Sequence, residues 1–199
     1  MVLAAGEGQR MGGVAKPLIR RNGQPLISHL VRSLQCAGTA DIIVVHGRYG
    51  QEIKAALLEH VNVRFVAVDA GQTQSASLQQ GLMQVQSTSS TIMVCLADQP
   101  LVDEIVLTEL LTAFGRRLAD QDMLVPWIHG IPGNPVVFNT DVAKELMSLG
   151  AGVSGKTWRQ QHPHRVQKMQ TDNQAYFLDL DTMLDFERQE LANLQLELP

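Results

Sequence analysis

The chain has 199 residues, enough for one substantial domain, and its 45% hydrophobic and 18% charged residues exclude an intrinsically disordered protein. The net charge of -4 disfavours a nucleic-acid partner, because proteins that bind nucleic acids usually carry surplus positive charge. No segment approaches the roughly 20 consecutive apolar residues of a membrane-spanning helix, so no membrane partner is expected.

Short apolar runs alternate with helical patterns along the first part of the chain. The predicted strands are 2–5, 42–45, 63–68 and 92–97, and the predicted helices are 27–35, 51–59, 77–85 and 102–118. This alternation is typical of βαβ units around a parallel sheet. The run Ile42-Ile-Val-Val45 is apolar on both faces, as expected of a central strand that helices cover on both sides.

After about residue 120 the pattern becomes less regular. It predicts a turn at 129–135, strands at 136–138, near 166 and at 176–180, and helices at 141–149, at 156–161 and from 183 onward. No repeat or linker separates this part from the first. We therefore predict an α/β fold in one domain over residues 1–199, with a single Rossmann-like, doubly wound, mostly parallel sheet.

The cysteines and the amino terminus bear on the compartment. Cys36 and Cys95 both lie in apolar segments, which predicts buried thiols and no disulfide framework. The sequence does not begin with the basic and apolar regions of a secretory signal. A cytoplasmic location is therefore expected.

A glycine-rich stretch begins within the first predicted strand and runs from Leu3 to Lys16. Its sequence is Leu-Ala-Ala-Gly-Glu-Gly-Gln-Arg-Met-Gly-Gly-Val-Ala-Lys. A P-loop needs lysine where Val14 stands, and a dinucleotide-binding loop needs glycine where Met11 stands. What remains is a loop of backbone N–H groups that binds a triphosphate, with Arg10 and Lys16 supplying positive charge. A surface loop without a ligand is the alternative.

The opening loop, read as Leu-Ala-Ala-Gly-x-Gly-x-Arg-Met-Gly followed by Lys16-Pro-Leu, is similar to the signature loop of NTP transferases that make activated sugars, alcohols and molybdenum cofactors. Four more motifs follow in order: Ser75-Ala-Ser-Leu-Gln-Gln-Gly81, Ala97-Asp-Gln-Pro100, Gly130-Ile-Pro-Gly-Asn-Pro135 and Asp179-Leu-Asp-Thr-Met-Leu-Asp-Phe186. Together they resemble the molybdenum cofactor cytidylyltransferases of the MobA-like NTP transferase family over nearly the whole chain. The resemblance implies a nucleotide-diphospho-sugar transferase-like fold, with an NTP-binding half at about 1–120 and a second-substrate half at about 121–199.

The resemblance assigns the nucleotide site to the opening loop and the serine-containing segment. We expect Lys16, Arg10 and Asp98 to be catalytic. The residues expected to bind the nucleotide are Leu3, Ala4, Ala5, Gly6, Gly8, Lys16, Ser75, Ser77 and Leu78. Both serines can donate to and accept from a small pyrimidine, which favours CTP, although capping of the following helix is another use for them.

A magnesium site is expected at the carboxyl end of the strand at 92–97. Asp98 follows that strand directly, where ligands of open α/β sheets gather, and Mg²⁺ prefers carboxylate and phosphate oxygens. Asp179 or Asp181 would complete the site. The alternative use of Asp98 and Asp181 is to cap the helices that follow them.

The second substrate implied by the resemblance is a phosphorylated pterin cofactor, expected at Gly133, Asn134, Pro135 and Lys156. One segment departs from the family pattern: the group often carries Gly-Asp-x-Gly-x-Arg where residues 150–156 read Gly-Ala-Gly-Val-Ser-Gly-Lys.

The expected activity is magnesium-dependent cytidylyl transfer from CTP to the molybdenum cofactor with release of pyrophosphate, and the expected protein partner is a client molybdoenzyme. Two enzymatic alternatives keep the fold: guanylyl transfer to the same cofactor, and cytidylyl transfer to a small alcohol phosphate. A third alternative is a non-catalytic carrier that delivers the cofactor to a molybdoenzyme. The altered segment at 150–156 motivates this third reading.

Overall fold

The computed structural model describes residues 1–150, 152–191 and 195–199, and its main feature is an eight-stranded sheet with helices on both faces. The strands of the chain are β1 (Val2–Ala4), β2 (Arg20–Arg21), β3 (Gln24–Pro25), β4 (Ile42–His46), β5 (Val63–Ala67), β6 (Thr91–Leu96), β7 (Met123–Ile128), β8 (Ile131–Pro132), β9 (Val136–Asn139), β10 (Val166–Gln170) and β11 (Leu196–Glu197). The helices are α1 (Leu26–Cys36), α2 (Gly50–Ala56), α3 (Gln74–Leu82), α4 (Glu104–Gly115), α5 (Thr140–Ser148), α6 (Gly155–Gln161) and α7 (Met183–Leu191). Ala151, within the unusual segment 150–156, lies outside the described residues.

The large sheet has the strand order β10-β7-β9-β6-β1-β4-β5, with β8 paired to β7. The pairs of β1 with β4 and β6, of β4 with β5 and of β7 with β10 are parallel, whereas β9 runs antiparallel to both β6 and β7. The carboxyl ends of β1, β4, β6, β7 and β10 therefore lie along one edge of the sheet. The predicted α/β class with a mostly parallel sheet is confirmed.

Two apolar clusters hold the helices on opposite faces of this sheet. On one face, α1 and α4 bury side chains such as Leu30 and Leu107, and on the other face α3, α5 and α6 bury Leu82, Leu146 and Trp158. The apolar stripe by which α1 packs on the sheet consists of Ile27, Leu30, Val31 and Leu34. None of the described helices is long and apolar enough to span a membrane.

A small second sheet joins the amino-terminal and carboxyl-terminal regions. The hairpin of β2 and β3 turns at Asn22 and Gly23, which both have positive φ, of 52° and 74°. The strand β11 then pairs with β2. A third apolar cluster under this sheet contains Met11, Ile19, Leu26, Leu180, Phe186 and Leu196. These contacts hold the carboxyl-terminal region beside the glycine-rich loop at residues 3–16.

The strand predicted at 176–180 is wrong. A short 3-10 turn at Gln174–Tyr176, capped by Asn173, leads into irregular chain. Tyr176 and Leu180 are fully buried, which explains the strand-like pattern. Their backbone groups bond to loops and form no ladder: the Leu180 N–H donates to the Asp98 carbonyl (3.0 Å), and the Tyr176 carbonyl accepts from Asn134 N–H (2.8 Å).

The prediction of two buried thiols is only half right. Cys95, in β6, is buried, but Cys36 is exposed. Cys36 lies in the last turn of α1, beyond Leu34, the last residue of the buried stripe. The chain leaves the helix at Gly38, two residues beyond Cys36, where Thr39 N–H donates to the Leu34 carbonyl.

A network around Arg165 fastens α5 and α6 to the edge of the sheet. The Arg165 guanidinium donates to Asp122 (2.6 Å) and to both oxygens of Glu145 (3.0 Å each). The indole of Trp158 donates to the same Glu145 carboxylate (2.8 Å). The hydrogen bonds from Arg165 lower the pKa of Glu145, and the one from Trp158 adds to this effect.

We expect Glu145→Gln to lower the free energy of unfolding by about 1 kcal/mol at pH 7, a value reduced from that of a buried charged hydrogen bond because Glu145 is partly exposed. A depressed folded-state pKa means that the carboxylate stabilises the fold above the usual value of 4.5 and loses this effect as the pH falls through the folded-state pKa. The difference measured by urea unfolding should therefore be larger at pH 7 than at about pH 3.

The matched control is Asp141→Asn on the same helix, whose pair with Lys144 is exposed and should contribute little at either pH. An equal loss for Glu145→Gln at both pH values would show that lost packing, and not charge, accounts for the effect.

Candidate active site

The glycine-rich loop follows β1 and closes on itself through Gly8. The Gly8 carbonyl accepts hydrogen bonds from the N–H groups of Met11 (2.8 Å) and Gly13 (3.0 Å). Gly8 has φ of +64°, and a Cβ atom there would lie 1.9 Å from the Val14 carbonyl oxygen. Only glycine fits this position, because any side chain would collide with backbone.

The loop is held from both sides. The Met11 side chain is buried in the third apolar cluster, and the Tyr49 hydroxyl donates a short hydrogen bond to the Gly13 carbonyl. Gly6 differs, since a Cβ atom there would meet no atom within 4 Å. The fold itself therefore does not require glycine at position 6. A glycine there leaves room for a ligand to approach the backbone.

Beneath the loop lies a cavity of about 540 Å³, within the size range of small-molecule sites. It opens at the carboxyl ends of β1 and β6, where open α/β sheets bind their ligands. Four parts of the chain line it: residues 3–10 with Lys16 and Pro17, the turn and first residues of α3 (Gly71, Gln72, Gln74 and Ser77), the end of β6 (Leu96, Ala97 and Asp98), and Asp179 with Asp181.

Lys16 is the centre of an ionic cluster in this cavity. Its Nζ lies 3.0 Å from Asp98 Oδ2 and 2.6 Å from Asp181 Oδ1, and Arg10 lies 3.0 Å from the other oxygen of Asp181. Burial alone would lower the pKa of Lys16, but the two carboxylates outweigh it and raise that pKa. Lys16 is therefore a fixed positive charge at any physiological pH.

Asp179 is the carboxylate that this cluster does not neutralise. Burial, together with the negative charges of Asp98 and Asp181, raises the pKa of Asp179 to about 6. Its Oδ1 is buried and has no hydrogen-bond partner among the described residues. The site thus holds more negative charge than its own cations balance, and a proton or a bound cation would relieve the excess.

These oxygens suit a hard divalent cation in type, although their present arrangement does not form a finished metal site. Among residues 1–150, 152–191 and 195–199, no three acidic, histidine or cysteine side chains are grouped to hold a metal ion. The Lys16 ammonium already contacts Asp98 Oδ2 and Asp181 Oδ1. The unpaired Asp179 oxygen and the carboxylate donor set fit Mg²⁺ or Mn²⁺ once Lys16 has turned elsewhere.

The structure brings together most of the residues predicted at the nucleotide. Leu3, Ala4, Ala5, Gly6, Gly8, Arg10, Lys16, Ser77 and Asp98 all line the cavity. Ser75 and Leu78 are not among the lining residues: the Ser75 hydroxyl lies 3.0 Å from that of Thr73, and Leu78 packs in the core.

Neither the serines nor the aspartates serve as the helix caps considered from the sequence. Thr73 caps α3 and Asp103 caps α4. At α7, Thr182 and Asp185 bond each other's backbone N–H groups in a capping box. Asp98 and Asp181 are therefore left to the cavity.

The residues predicted at the second substrate lie outside the cavity lining. The turn at Gly133, Asn134 and Pro135 is pinned from two sides, with Gly133 N–H on the Pro126 carbonyl (2.9 Å) and Asn134 N–H on Tyr176 (2.8 Å). This turn lies beside the site, whereas Lys156 is exposed on α6.

Gln99 joins the two regions and was not predicted. It is buried (4% exposed), its Nε2 lies 3.4 Å from the carbonyl oxygens of Asn134 and Tyr176, and its Oε1 has no partner among the described residues. Its position next to Asp98 in Ala-Asp-Gln-Pro was the only available signal. Tyr49 and the turn at Gly71 and Gln72 were also missed, because no motif marks them.

Known proteins are similar in sequence to part of this chain. A region of the bifunctional protein GlmU from Xanthomonas campestris is 33% identical over 117 residues, 58% of this chain but 26% of that protein. The molybdenum cofactor guanylyltransferase of Pseudomonas paraeruginosa is 37% identical over 126 residues, 62% of this chain and 60% of that protein. The matched region is thus only about a quarter of the full length of GlmU.

Solved structures share the fold over nearly the whole chain. A nucleotidyl transferase from Methanothermobacter superposes with a TM-score of 0.79 at 24% identity, covering 97% of this chain and 95% of that one. A manganese complex of Rv0371c from Mycobacterium tuberculosis gives a TM-score of 0.73 at 24% identity, with 94% of each chain covered. The family model of the MobA-like NTP transferase domain matches residues 1–166. The predicted family is confirmed: this chain belongs to the MobA-like NTP transferases.

Proposed function

We propose that this protein is a magnesium-dependent nucleotidyltransferase that transfers the cytidylyl group of CTP to the phosphate of a molybdenum-binding pterin. The observation that carries the proposal is the cluster of Lys16, Arg10, Asp98 and Asp181 in a cavity of ligand size under the glycine-rich loop. Cations and carboxylates converge there at the sheet edge where nucleotides bind in open α/β folds.

The chemistry needs positioning and charge neutralisation more than it needs a nucleophilic side chain. An oxygen of the acceptor phosphate forms a bond to the α-phosphorus, the bond between that phosphorus and the α–β bridging oxygen breaks, and pyrophosphate leaves with the electron pair. Backbone N–H groups of residues 4–8 would bind the triphosphate. Arg10 and Lys16 would balance the charge that builds up on the leaving pyrophosphate.

Lys16 changes partners in this proposal. In the structure its ammonium is bound by Asp98 and Asp181, while the triphosphate would offer it oxygens of higher charge. When Lys16 turns to the phosphates, the Asp98 carboxylate becomes available to a cation. A bound Mg²⁺ would supply positive charge at the α-phosphate, with Asp98 and either Asp179 or Asp181 holding it.

The choice of CTP rests on Ser77, which is 2% exposed and lies at the cavity wall together with Gln72 and Gln74. The hydroxyl of Ser77 and the amides of the two glutamines suit a small pyrimidine that both donates and accepts hydrogen bonds. The similarity to a molybdenum cofactor guanylyltransferase favours the second candidate, guanylyl transfer from GTP to the same pterin cofactor.

The proposal is tested by pyrophosphate release with a phosphorylated pterin and each NTP in turn, with magnesium and then manganese. We expect kcat/KM with CTP to exceed that with GTP by at least about tenfold, the scale of one or two hydrogen bonds lost in a buried site. A preference for GTP would support the guanylyl alternative. Turnover only with a small alcohol phosphate would show that the acceptor is not a pterin. Binding of the ligands without release of pyrophosphate would support the non-catalytic carrier.

Gly6 and Gly8 of the loop distinguish a requirement of the ligand from a requirement of the fold. Gly8→Ala places a Cβ atom 1.9 Å from backbone and should destabilise the protein by about 1–3 kcal/mol. Gly6→Ala meets no atom within 4 Å, so it should leave unfolding unchanged and weaken the protection that an NTP gives against thermal unfolding. The measurement is the melting temperature of both variants with and without CTP and magnesium. Full protection of Gly6→Ala would contradict a triphosphate lying against this part of the loop.

A further inference from the structure

A basic aromatic cluster lies outside the cavity, at the carboxyl end of β7. The Trp127 ring has the Lys168 ammonium 4.5 Å from its centroid and the Arg159 guanidinium 6.0 Å from it. Trp127 and Arg159 are partly buried, and Lys168 is exposed. We call these three residues the Trp127 cluster. They come from β7, α6 and β10, so the tertiary fold assembles them.

The two cations of this cluster lack acidic partners. Within the described part of the chain, no carboxylate oxygen lies within salt-bridge distance of Arg159 or Lys168, whereas the nearby Arg165 is paired with both Asp122 and Glu145. Burial lowers the pKa of Arg159. A partly buried guanidinium without a counter-charge is costly, and contact with an aromatic ring offsets only part of that cost. An external ligand that accepts hydrogen bonds would offset the remainder.

The sheet fixes where this cluster lies relative to Asp98. Trp127 is at the end of β7, and β7 is separated from β6 by one strand, β9. Two strand spacings correspond to about 10 Å. The turn at 133–135, which leads into β9, lies between them and is bonded to Gln99. The Trp127 cluster and Asp98 therefore stand on the same edge of the sheet, on opposite sides of this turn.

We propose that the Trp127 cluster binds the far end of the second substrate, a flat heteroaromatic ring that carries oxygen acceptors, while the substrate's phosphate reaches Lys16 and Asp98. The inference rests on the proposed function and adds the place where the ring of the acceptor is bound. Trp127 provides an aromatic surface for the ring, and Arg159 and Lys168 donate to its oxygens. A small alcohol phosphate is too short to span about 10 Å and would not contact the cluster.

The test measures binding of 6-hydroxymethylpterin monophosphate by calorimetry, to protein saturated with magnesium and a non-hydrolysable CTP analogue. We expect Trp127→Leu, Arg159→Gln and Lys168→Gln each to raise the Kd of the pterin about tenfold or more, without changing the affinity for the nucleotide analogue. Glycerol phosphate, the small-acceptor probe, should bind all variants as it binds the parent protein. The control is Arg117→Gln, because Arg117 also lies over an aromatic ring, that of Phe114, but on the end of α4.

An unchanged pterin Kd in Arg159→Gln and Lys168→Gln would overturn the proposal even if Trp127→Leu proved unstable. So would an equal loss of glycerol phosphate binding, which would indicate a general anion patch. Failure of the proposed function looks different, because in that case the parent protein itself would not bind the CTP analogue or would not bind the pterin.

Discussion

The site depends on one contact: the Lys16 ammonium held between Asp98 and Asp181. The three residues come from the amino-terminal loop, the end of β6 and the segment before α7, which lie far apart in the sequence. Like charges on Asp98 and Asp181 would repel each other without the ammonium between them. The contact also places Arg10, through Asp181, at the mouth of the same cavity.

The surrounding structure keeps these charges in place with ordinary packing. Gly8 closes the loop, Met11 anchors it in an apolar cluster with the carboxyl-terminal residues, and the hydrogen bond from Leu180 N–H to the Asp98 carbonyl fixes the third segment. Burial and the negative charges of Asp98 and Asp181 raise the pKa of Asp179 to about 6. Perturbed carboxylates in a cleft are typical of functional sites, because the missing charge is supplied by a ligand.

The fold class and most of the site could be predicted from the sequence, because the pattern of strands and helices determines both. Apolar strands alternating with helices imply a parallel sheet, and a parallel sheet gathers the residues that follow its strands at one edge. The loop after β1 and Asp98 after β6 were therefore predictable together.

The features that were predicted wrongly or missed depend on contacts between segments that are distant in the sequence. The residues at 176–180 have the burial of a strand but bond to loops, which no local pattern encodes. Gln99 and Tyr49 act through backbone carbonyls of other segments, and the choice of Ser77 over Ser75 depends on which side of α3 faces the cavity. The pairing of Lys16 with carboxylates likewise required the three-dimensional arrangement.

The most direct test of the account is the rate of pyrophosphate release by Asp98→Asn, compared with the parent protein and with the exposed control Asp141→Asn. If Asp98 holds the cation at the reacting phosphate, its loss should reduce kcat/KM about 100-fold or more, since a charged metal ligand contributes several kcal/mol to the transition state. Asp141→Asn should be unaffected. Turnover of Asp98→Asn within about threefold of the parent protein would contradict the central claim that this carboxylate is part of the catalytic machinery.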